Sequence, residues 1–511
     1  MVLLKTITAY ERELHKGKEI LHVFLCENTE QIRQGLMHQL FPLAEFADAL
    51  DKESYNFSSS EAKMFQIFSK EVIHNLYFKG ILKAEDQHNA LYFESIRTIA
   101  GEIVRYIKKK KIIETVLTIH LTATPSLFQK IIEIFSIAVH MAAYSFDLFL
   151  TKKDFSDFKI SFFVSHAMQE LYNAALHKAE LIGRAVSFSR YLSDLPASHL
   201  YPERFVEIVL ERLKKSTITN CSFELISLPE MEKLGMGGLI GVGKGSTKEP
   251  KLLILKYKPD VLQETKTVAL VGKGVTFDTG GISIKPSDGM EDMKADMSGA
   301  AAAASAFLAL AELKTPYTLY AVLPLAENMV DGNAYRPGDI LTFYNKKTAE
   351  IKNTDAEGRL ILADALAYAS AALSPHVMID LATLTGAARI ALGPLYAGLM
   401  SESEELVKAI LRAGEQTYER CWRMPLEEGY KPNMASHVAD MCNIGTKGYK
   451  AGTTMGGMFL REFVSKEIKW AHLDIAPVAT DCPTKTYLPS YGATGFGVRL
   501  LIELFEAAEY L

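Results

Sequence analysis

The chain has 511 residues, of which 48% are hydrophobic and 23% charged, enough apolar material for a sizeable core under a soluble surface. That length exceeds the usual single domain, so two domains are expected. A net charge of −5 supplies no general attraction to nucleic acid, and the five cysteines (Cys26, Cys221, Cys421, Cys442 and Cys482) contain no C-x-x-C pair, which leaves a zinc finger unsupported and suits a reducing cytoplasm.

Residues 2–7, 20–25 and 115–121 read as strands, while 60–78, 96–107 and 125–143 read as helices. This alternation predicts an independent α/β domain over residues 1–164. The opening M-V-L-L-K-T-I-T-A-Y-E-R-E-L lacks the sustained apolar run of a secretory signal. Residues 131–150 are the most apolar long stretch, but Glu133, His140 and Asp147 interrupt it, so a core element is expected in place of a membrane span. The lysines at 108–111 close a helical pattern, where the helix dipole favours cations and a solvated end is expected. Residues 165–193 then predict a long helix linking the domains, broken at Leu195-Pro196.

In residues 194–511, strands are predicted at 252–257, 267–271, 319–323 and 377–381, with helical segments between most of them. The fold class is therefore α/β: an N-terminal α/β domain joined by a long helix to a catalytic α/β domain whose mainly parallel central sheet is flanked by helices. The glycine-rich stretch 238–245 resembles the start of a P-loop, but Gly245 stands where Ser or Thr must bind magnesium, so no nucleotide role is expected. H-E-x-x-H does not occur.

Two segments carry chemistry. After the strand at 267–271, a glycine-rich loop holds Lys273, Asp278, Lys285 and Asp296, and a helix of small residues at 299–313 is suited to tight packing on a sheet. The second segment, N-T-D-A-E-G-R-L at 353–360, sets Asp355 and Glu357 two apart with Arg359 at the same spacing. Gly358 allows close backbone approach, and a run rich in strong helix formers follows from 360 to 373. Carboxylates are hard oxygen ligands that suit divalent cations. Four of them balance the charge of two dications, the composition of a two-metal hydrolytic centre. Each short acidic pattern alone also fits a turn or a helix start, so the joint spacing carries the reading. Asp288, Glu291 and Asp292 are expected to be solvated acids, and Asp364 to face solvent or cap a neighbour.

Together the two segments resemble the leucyl aminopeptidase family, cytosolic two-zinc exopeptidases, with a complete match to the N-T-D-A-E-G-R-L motif and a likeness spanning residues 190–511. The resemblance implies metal ligands Lys273, Asp278, Asp296, Asp355 and Glu357, with Lys285 and Arg359 as the catalytic pair. That Lys273 and not Lys285 is the ligand rests on the resemblance alone. It further implies a bridging hydroxide nucleophile, a bicarbonate ion held by Arg359 as proton shuttle, and a substrate α-amine that ligates one metal. The run D-L-A-T-L-T-G-A-A at 380–388 resembles another family segment and implies that Thr383, Leu384 and Gly386 line the active site, with Met293 in the side-chain pocket.

The implied activity is that of a leucyl aminopeptidase: a cytoplasmic, metal-dependent hydrolase that releases N-terminal leucine and other apolar residues from peptides. Two divalent ions per subunit are expected, zinc or manganese, with magnesium as a third choice. The likeness also implies a homohexamer and no membrane association. DNA binding, which some family members show, is at most secondary given the acidic balance. Departures from the family pattern fall at Asp194 and Ser198, where asparagines are usual, and at Ala493, where some relatives have methionine. The smaller Ala493 predicts an enlarged pocket and cleavage of phenylalanyl as well as leucyl amides.

Overall fold

The computed structural model describes residues 2–7, 19–26, 62–69, 72–80, 90–120, 124–260, 266–446 and 450–506. These fall into two compact units, Met1–Arg184 with Pro483–Leu488 and Ala185–Cys482 with Pro489–Leu511.

In the first unit the described strands are β1 (Val2–Ile7), β2 (Glu19–Cys26), β3 (Ala62–Ser69), β4 (Val72–Gly80), β5 (Glu114–His120) and β6 (Phe158–Phe163). They form one sheet in the order β1-β6-β5-β2-β4-β3, parallel throughout except for the antiparallel β3–β4 pair. Helices α1 (Ala90–Lys110) and α2 (Pro125–Ala143) pack on each other. Helix α2 starts where Thr124 accepts a hydrogen bond from the Leu127 N–H and Pro125 takes the first helical position, two standard start signals. By length and composition α2 could cross a membrane, but Ile131, Ile132, Phe135, Ala138 and Val139 are fully buried in this unit and Glu133 pairs with Lys178 at 3.2 Å. It is a core helix.

The helix predicted over residues 60–78 is not present; β3 and β4 occupy that stretch. Its runs M-F-Q-I-F and V-I-H-N-L-Y-F are dense in aromatic and β-branched residues, which favour a pleated surface. The β2 edge supplies the pairing partner for β4 that completes the preference. Residues 60–61 and 70–71 lie outside the described set. The predicted linking helix is α3 (Gln169–Asp194), preceded by a single 3₁₀ turn at His166–Met168, and the division between the two units falls within it.

The second unit centres on a sheet of β7 (Cys221–Ile226), β8 (Lys251–Tyr257), β9 (Thr267–Gly272), β10 (Gly274–Asp278), β11 (Thr318–Asn328), β14 (Val377–Ala382), β15 (Ala397–Met400), β16 (Cys421–Arg423) and β18 (Lys469–Asp474). Its order is β16-β15-β18-β14-β9-β11-β8-β7, with β10 adding to β11. The central run β18-β14-β9-β11 is parallel, and antiparallel pairs flank it. A small separate sheet joins β12 (Ile340–Thr342), β13 (Thr348–Glu350) and β17 (Met441–Cys442). Strand β14 is buried at every position and β9 at all but its first, the pattern of parallel strands covered on both faces.

Helix α5 (Ser298–Glu312), which follows α4 (Gly237–Gly243) in the chain, shows why its sequence is so rich in alanine. A Cβ on Gly299 would stand 2.1 Å from the Leu381 carbonyl oxygen, and one on Gly272 would stand 2.5 Å from Ala300 Cα. The helix backbone therefore rests almost directly on the sheet. That close seating sets the loops at the carboxyl ends of β9, β10 and β14 side by side, where α/β sheets commonly build their sites.

Candidate active site

Lys273 lies between β9 and β10, Asp278 ends β10, and Lys285 follows in a loop that Gly280 and Gly281 turn with positive φ. A 3₁₀ turn at Met290–Ala295 then delivers Met293 and Asp296. Asp355 and Glu357 immediately precede helix α6 (Gly358–Tyr368), whose predicted extent to residue 373 is completed by a π-helical turn, Ala369–Leu373. Thr383 and Leu384 follow β14, and Gly386 opens α7 (Gly386–Leu392).

These loops converge. Oxygens of Asp278, Asp355 and Glu357 lie within 4.8 Å of one another. Lys273 Nζ pairs with Asp296 Oδ1 at 2.8 Å and with Glu357 Oε1 at 2.9 Å, and donates to the Thr383 carbonyl at 2.8 Å. Lys285 Nζ pairs with Asp278 Oδ2 at 2.8 Å and also with Asp355 Oδ1. The Thr383 hydroxyl donates to Asp296 Oδ1 at 2.7 Å. A cleft of about 300 Å³ opens here, lined by Lys273, Asp278, Lys285, Met293, Asp296, Asp355, Glu357, Thr383, Leu384 and Gly386 among others. Of the eleven sequence-derived site residues, ten line this one cleft. Arg359 stands behind it, 5% exposed, with Nη1 donating to the Asn443 carbonyl at 2.8 Å.

Gly358 shows why the motif needs glycine. A Cβ there would stand 2.5 Å from Lys273 Cε and 2.7 Å from its Nζ. Only a bare backbone lets the helix start lie against the lysine stem.

The electrostatics show a site short of positive charge. Burial, with Glu357 next, pushes the Asp278 carboxyl up to about 6, and burial pushes Asp296 well above the usual carboxylate range. Burial also works against ionised Glu357, but Lys273 and Lys285 outweigh it and hold that carboxyl at about 2. Both lysines are held protonated above their ordinary range by the surrounding carboxylates, against burial. Asp296 Oδ2 is buried and has no hydrogen-bond partner. Four clustered carboxylates facing two ammonium groups, with one buried oxygen unspent, are a donor set that fits divalent cations. Arg359 is pulled down to about 10 by burial, and its Nε is buried without a partner, so it has capacity for an anion.

Several contributors escaped the sequence reading. Asn328, at the end of β11, donates from Nδ2 to Asp278 Oδ1 at 2.7 Å and to the Thr354 carbonyl at 3.1 Å. The Tyr335 hydroxyl donates to that same carbonyl at 2.6 Å. Asn443 accepts from the Lys352 N–H at 2.8 Å and donates to the Asn353 carbonyl at 2.7 Å, so it grips the entry to the 353–360 segment as well as Arg359. Asp474 accepts from the backbone N–H groups of Leu384 and Thr385 and from the Thr385 hydroxyl, fixing the loop after β14. No short motif marks these residues.

Two expectations change, and of the two alternatives for Asp364 the capping one holds. Ala493 does not line the cleft; it is buried, and its N–H donates to Asp194 Oδ1 at 2.8 Å. The small residues in the lining are Ala295, Gly386, Ala476 and Ala479. Asp292, expected among solvated acids, also lines the cleft. Asp364 is fully buried and accepts from the N–H groups of Leu239 and Tyr344, each at 2.8 Å, so it caps neighbours from inside the core.

Comparison with known proteins agrees with this geometry. Residues 187–502 match the model of the cytosol aminopeptidase family, catalytic domain. A probable cytosol aminopeptidase of Caulobacter vibrioides is 42% identical over 434 residues, covering 84% of this chain and 85% of that protein. Proteins of the same description from Rickettsia africae and Rickettsia bellii are 40% and 39% identical, covering 80% of this chain in each case and 81% and 80% of those proteins. The chain belongs to the cytosol aminopeptidase family and is an aminopeptidase, a hydrolase of a metal-dependent kind.

Proposed function

We propose that this aminopeptidase releases N-terminal leucine and other apolar residues from peptides at a two-metal centre held by Lys273, Asp278, Asp296, Asp355 and Glu357. The observation that carries the reading is the convergence of Asp278, Asp355 and Glu357 within 4.8 Å, with Asp296 joined to Glu357 through Lys273. When bound, two divalent ions would activate a water and polarise the scissile carbonyl. Zinc or manganese fits this mixed amine and carboxylate set, and magnesium is a third choice.

The chain's own groups have distinct tasks. Lys273 ligates only as the neutral amine, so its proton must leave as a cation enters. Lys285 keeps its proton, held by Asp278 and Asp355, and its ammonium would stabilise the oxyanion that forms on the carbonyl. Arg359 would hold a bicarbonate, which supplies a proton shuttle when bound; its planar charged fork suits that anion. Met293, Thr383, Leu384 and Gly386 shape the first side-chain pocket, widened by Ala476 and Ala479. A Cβ on Gly386 would meet nothing within 4 Å, so the absent side chain leaves open room.

Residues 1–164 act as a separate domain, 165–193 as a connecting helix and 194–511 as the catalytic domain. A cytoplasmic homohexamer is the proposed working form. The test is turnover of leucine p-nitroanilide by wild type and D355A, before and after chelation and with zinc, manganese or magnesium added back. Activity that survives both chelation and the substitution would sink the two-metal reading.

A further inference from the structure

Arg389 is a cation in the cleft that the chemistry above leaves unused. Lys273, Lys285 and Arg389 are the cationic residues of the lining, and both lysines are committed to carboxylates. Arg389, in the last turn of α7, is exposed, and its side chain makes no hydrogen bond or ion pair with any described residue. Asp292, in the same lining, feels the guanidinium electrostatically without an ion pair between the two. The Asp292 carboxyl is instead pushed up by burial and by Asp481 and Glu291. Arg389 is therefore not spent on holding the fold.

Its position gives it a direction. Gly386 and Arg389 are three residues apart on one short helix, so they share a face, with Arg389 about 4.5 Å further along the axis. Gly386 and Arg389 both line the cleft with Thr383 and Leu384, and both are exposed. Within the lining Asp278, Asp296 and Glu357 are buried whereas Arg389 is exposed, and Met293, Ala476 and Ala479 add uncharged surface. With two dications balancing the four clustered carboxylates, Arg389 is the cationic side chain of the lining left unpaired, and its planar guanidinium can take a carboxylate of a bound peptide through two parallel hydrogen bonds.

We infer that Arg389 recognises a substrate carboxylate and so widens the range of this aminopeptidase beyond apolar N-terminal residues to acidic or very short peptides. The inference rests on the aminopeptidase reading of the same cleft. Two sources could present the group: the side chain of an N-terminal Glu or Asp, or the C-terminus of a dipeptide.

The test uses metal-loaded full-length wild type, R389A and R389E, with folding checked by circular dichroism. Four substrates separate the sources: leucine and glutamate p-nitroanilides, which have no C-terminal carboxylate, and Leu-Gly and Leu-Gly amide, which differ only in it. In R389A one selectivity ratio should fall about tenfold, glutamyl over leucyl anilide or Leu-Gly over its amide, and R389E should lower it further. A fall in the first ratio assigns the side chain, and a fall in the second assigns the C-terminus. If both ratios hold constant across wild type and the two variants, the role of Arg389 is overturned. Wild-type turnover of leucine p-nitroanilide in the same assay reports separately on the aminopeptidase reading, so flat ratios beside healthy turnover count against Arg389 alone.

Discussion

The side-chain amide of Asn328 donates to Asp278 Oδ1 at 2.7 Å, and through its second hydrogen, at 3.1 Å, to the carbonyl of Thr354. One fully buried residue at the end of β11 therefore ties the loop that carries Asp278 to the segment that carries Asp355 and Glu357. Thr354 adds to the tie: its hydroxyl donates to the Gly280 carbonyl at 2.6 Å and accepts from the Ser283 N–H at 2.8 Å. Ligands on separate loops hold a cation well only if such partners prevent the loops from drifting.

Asn328→Ala should accordingly weaken cation binding by about 10- to 100-fold, the usual range for a lost ligand-orienting hydrogen bond. Asn328→Asp should be worse, because it replaces a donor to Asp278 with a second negative charge in the same buried space. The measurement is a titration of the metal-free proteins with zinc or manganese, followed by calorimetry. Affinities equal to wild type would mean that Asn328 only fills space.

A second prediction concerns Gly358, where a Cβ would meet Lys273 Cε at 2.5 Å and Nζ at 2.7 Å. Gly358→Ala suits the start of α6 by helix propensity, so on local grounds the change is mildly stabilising. Contact with the lysine reverses that, at a cost of about 1–3 kcal/mol for overpacking, and displaces the Lys273 amine from its place. Thermal denaturation should show a lower Tm, and turnover should fall by far more than the lost stability explains. A variant that is both stable and active would show that Lys273 can shift without consequence.

Which parts of the site could be read in advance follows from where each residue sits. Lys273, Asp278, Lys285 and Asp296 fall in one glycine-rich loop after a strand, and Asp355, Glu357 and Arg359 fall in one octapeptide, so their spacing was visible as text. Asn328, Tyr335, Asn443 and Asp474 reach the same place from β11, the loop after it, the residue following β17, and β18, and only tertiary packing brings them in. Nothing in N-M-V-D or M-C-N-I-G announces a shared partner. The parallel sheet was legible from short apolar strands, whereas β3 and β4 were misread because their apolar density fits a helix and a strand alike. Ala493 falls outside the pocket expected of it for a related reason: near the C-terminus, position along the chain says little about which loop faces the cleft.

Cation binding should depend on pH in a set direction. Burial and neighbouring Glu357 push Asp278 up to about 6, and the carboxylates around Lys273 hold its proton tightly. Every cation that enters must displace those protons, so affinity rises with pH and falls steeply below about 6. Each displaced proton contributes about a tenfold change per pH unit. Calorimetry in two buffers of different ionisation enthalpy counts the protons released at pH 7. A count near zero would exclude Lys273 as a neutral ligand, because its amine must lose a proton to bind.

Asp364 supplies a last prediction, away from the chemistry. Burial pushes its carboxyl up to about 7, even though the backbone N–H groups of Leu239 and Tyr344 donate to its two oxygens at 2.8 Å each. In the unfolded chain the same group titrates near 3.9. Between these values the folded protein binds the extra proton, so raising the pH from about 4 to about 7 removes stability, and the loss is complete above about 7. The linked change amounts to a few kcal/mol. Asp364→Asn resembles the neutral acid in size and charge, but its amide NH₂ meets one of the two N–H donors, a penalty of about 1–3 kcal/mol that does not vary with pH. The variant should therefore be less stable than wild type at pH 5 and recover relative to it by pH 8. Chemical denaturation of both proteins at the two pH values measures the shift. A stability difference that is the same at pH 5 and pH 8 would mean that Asp364 is already ionised in the folded core throughout that range.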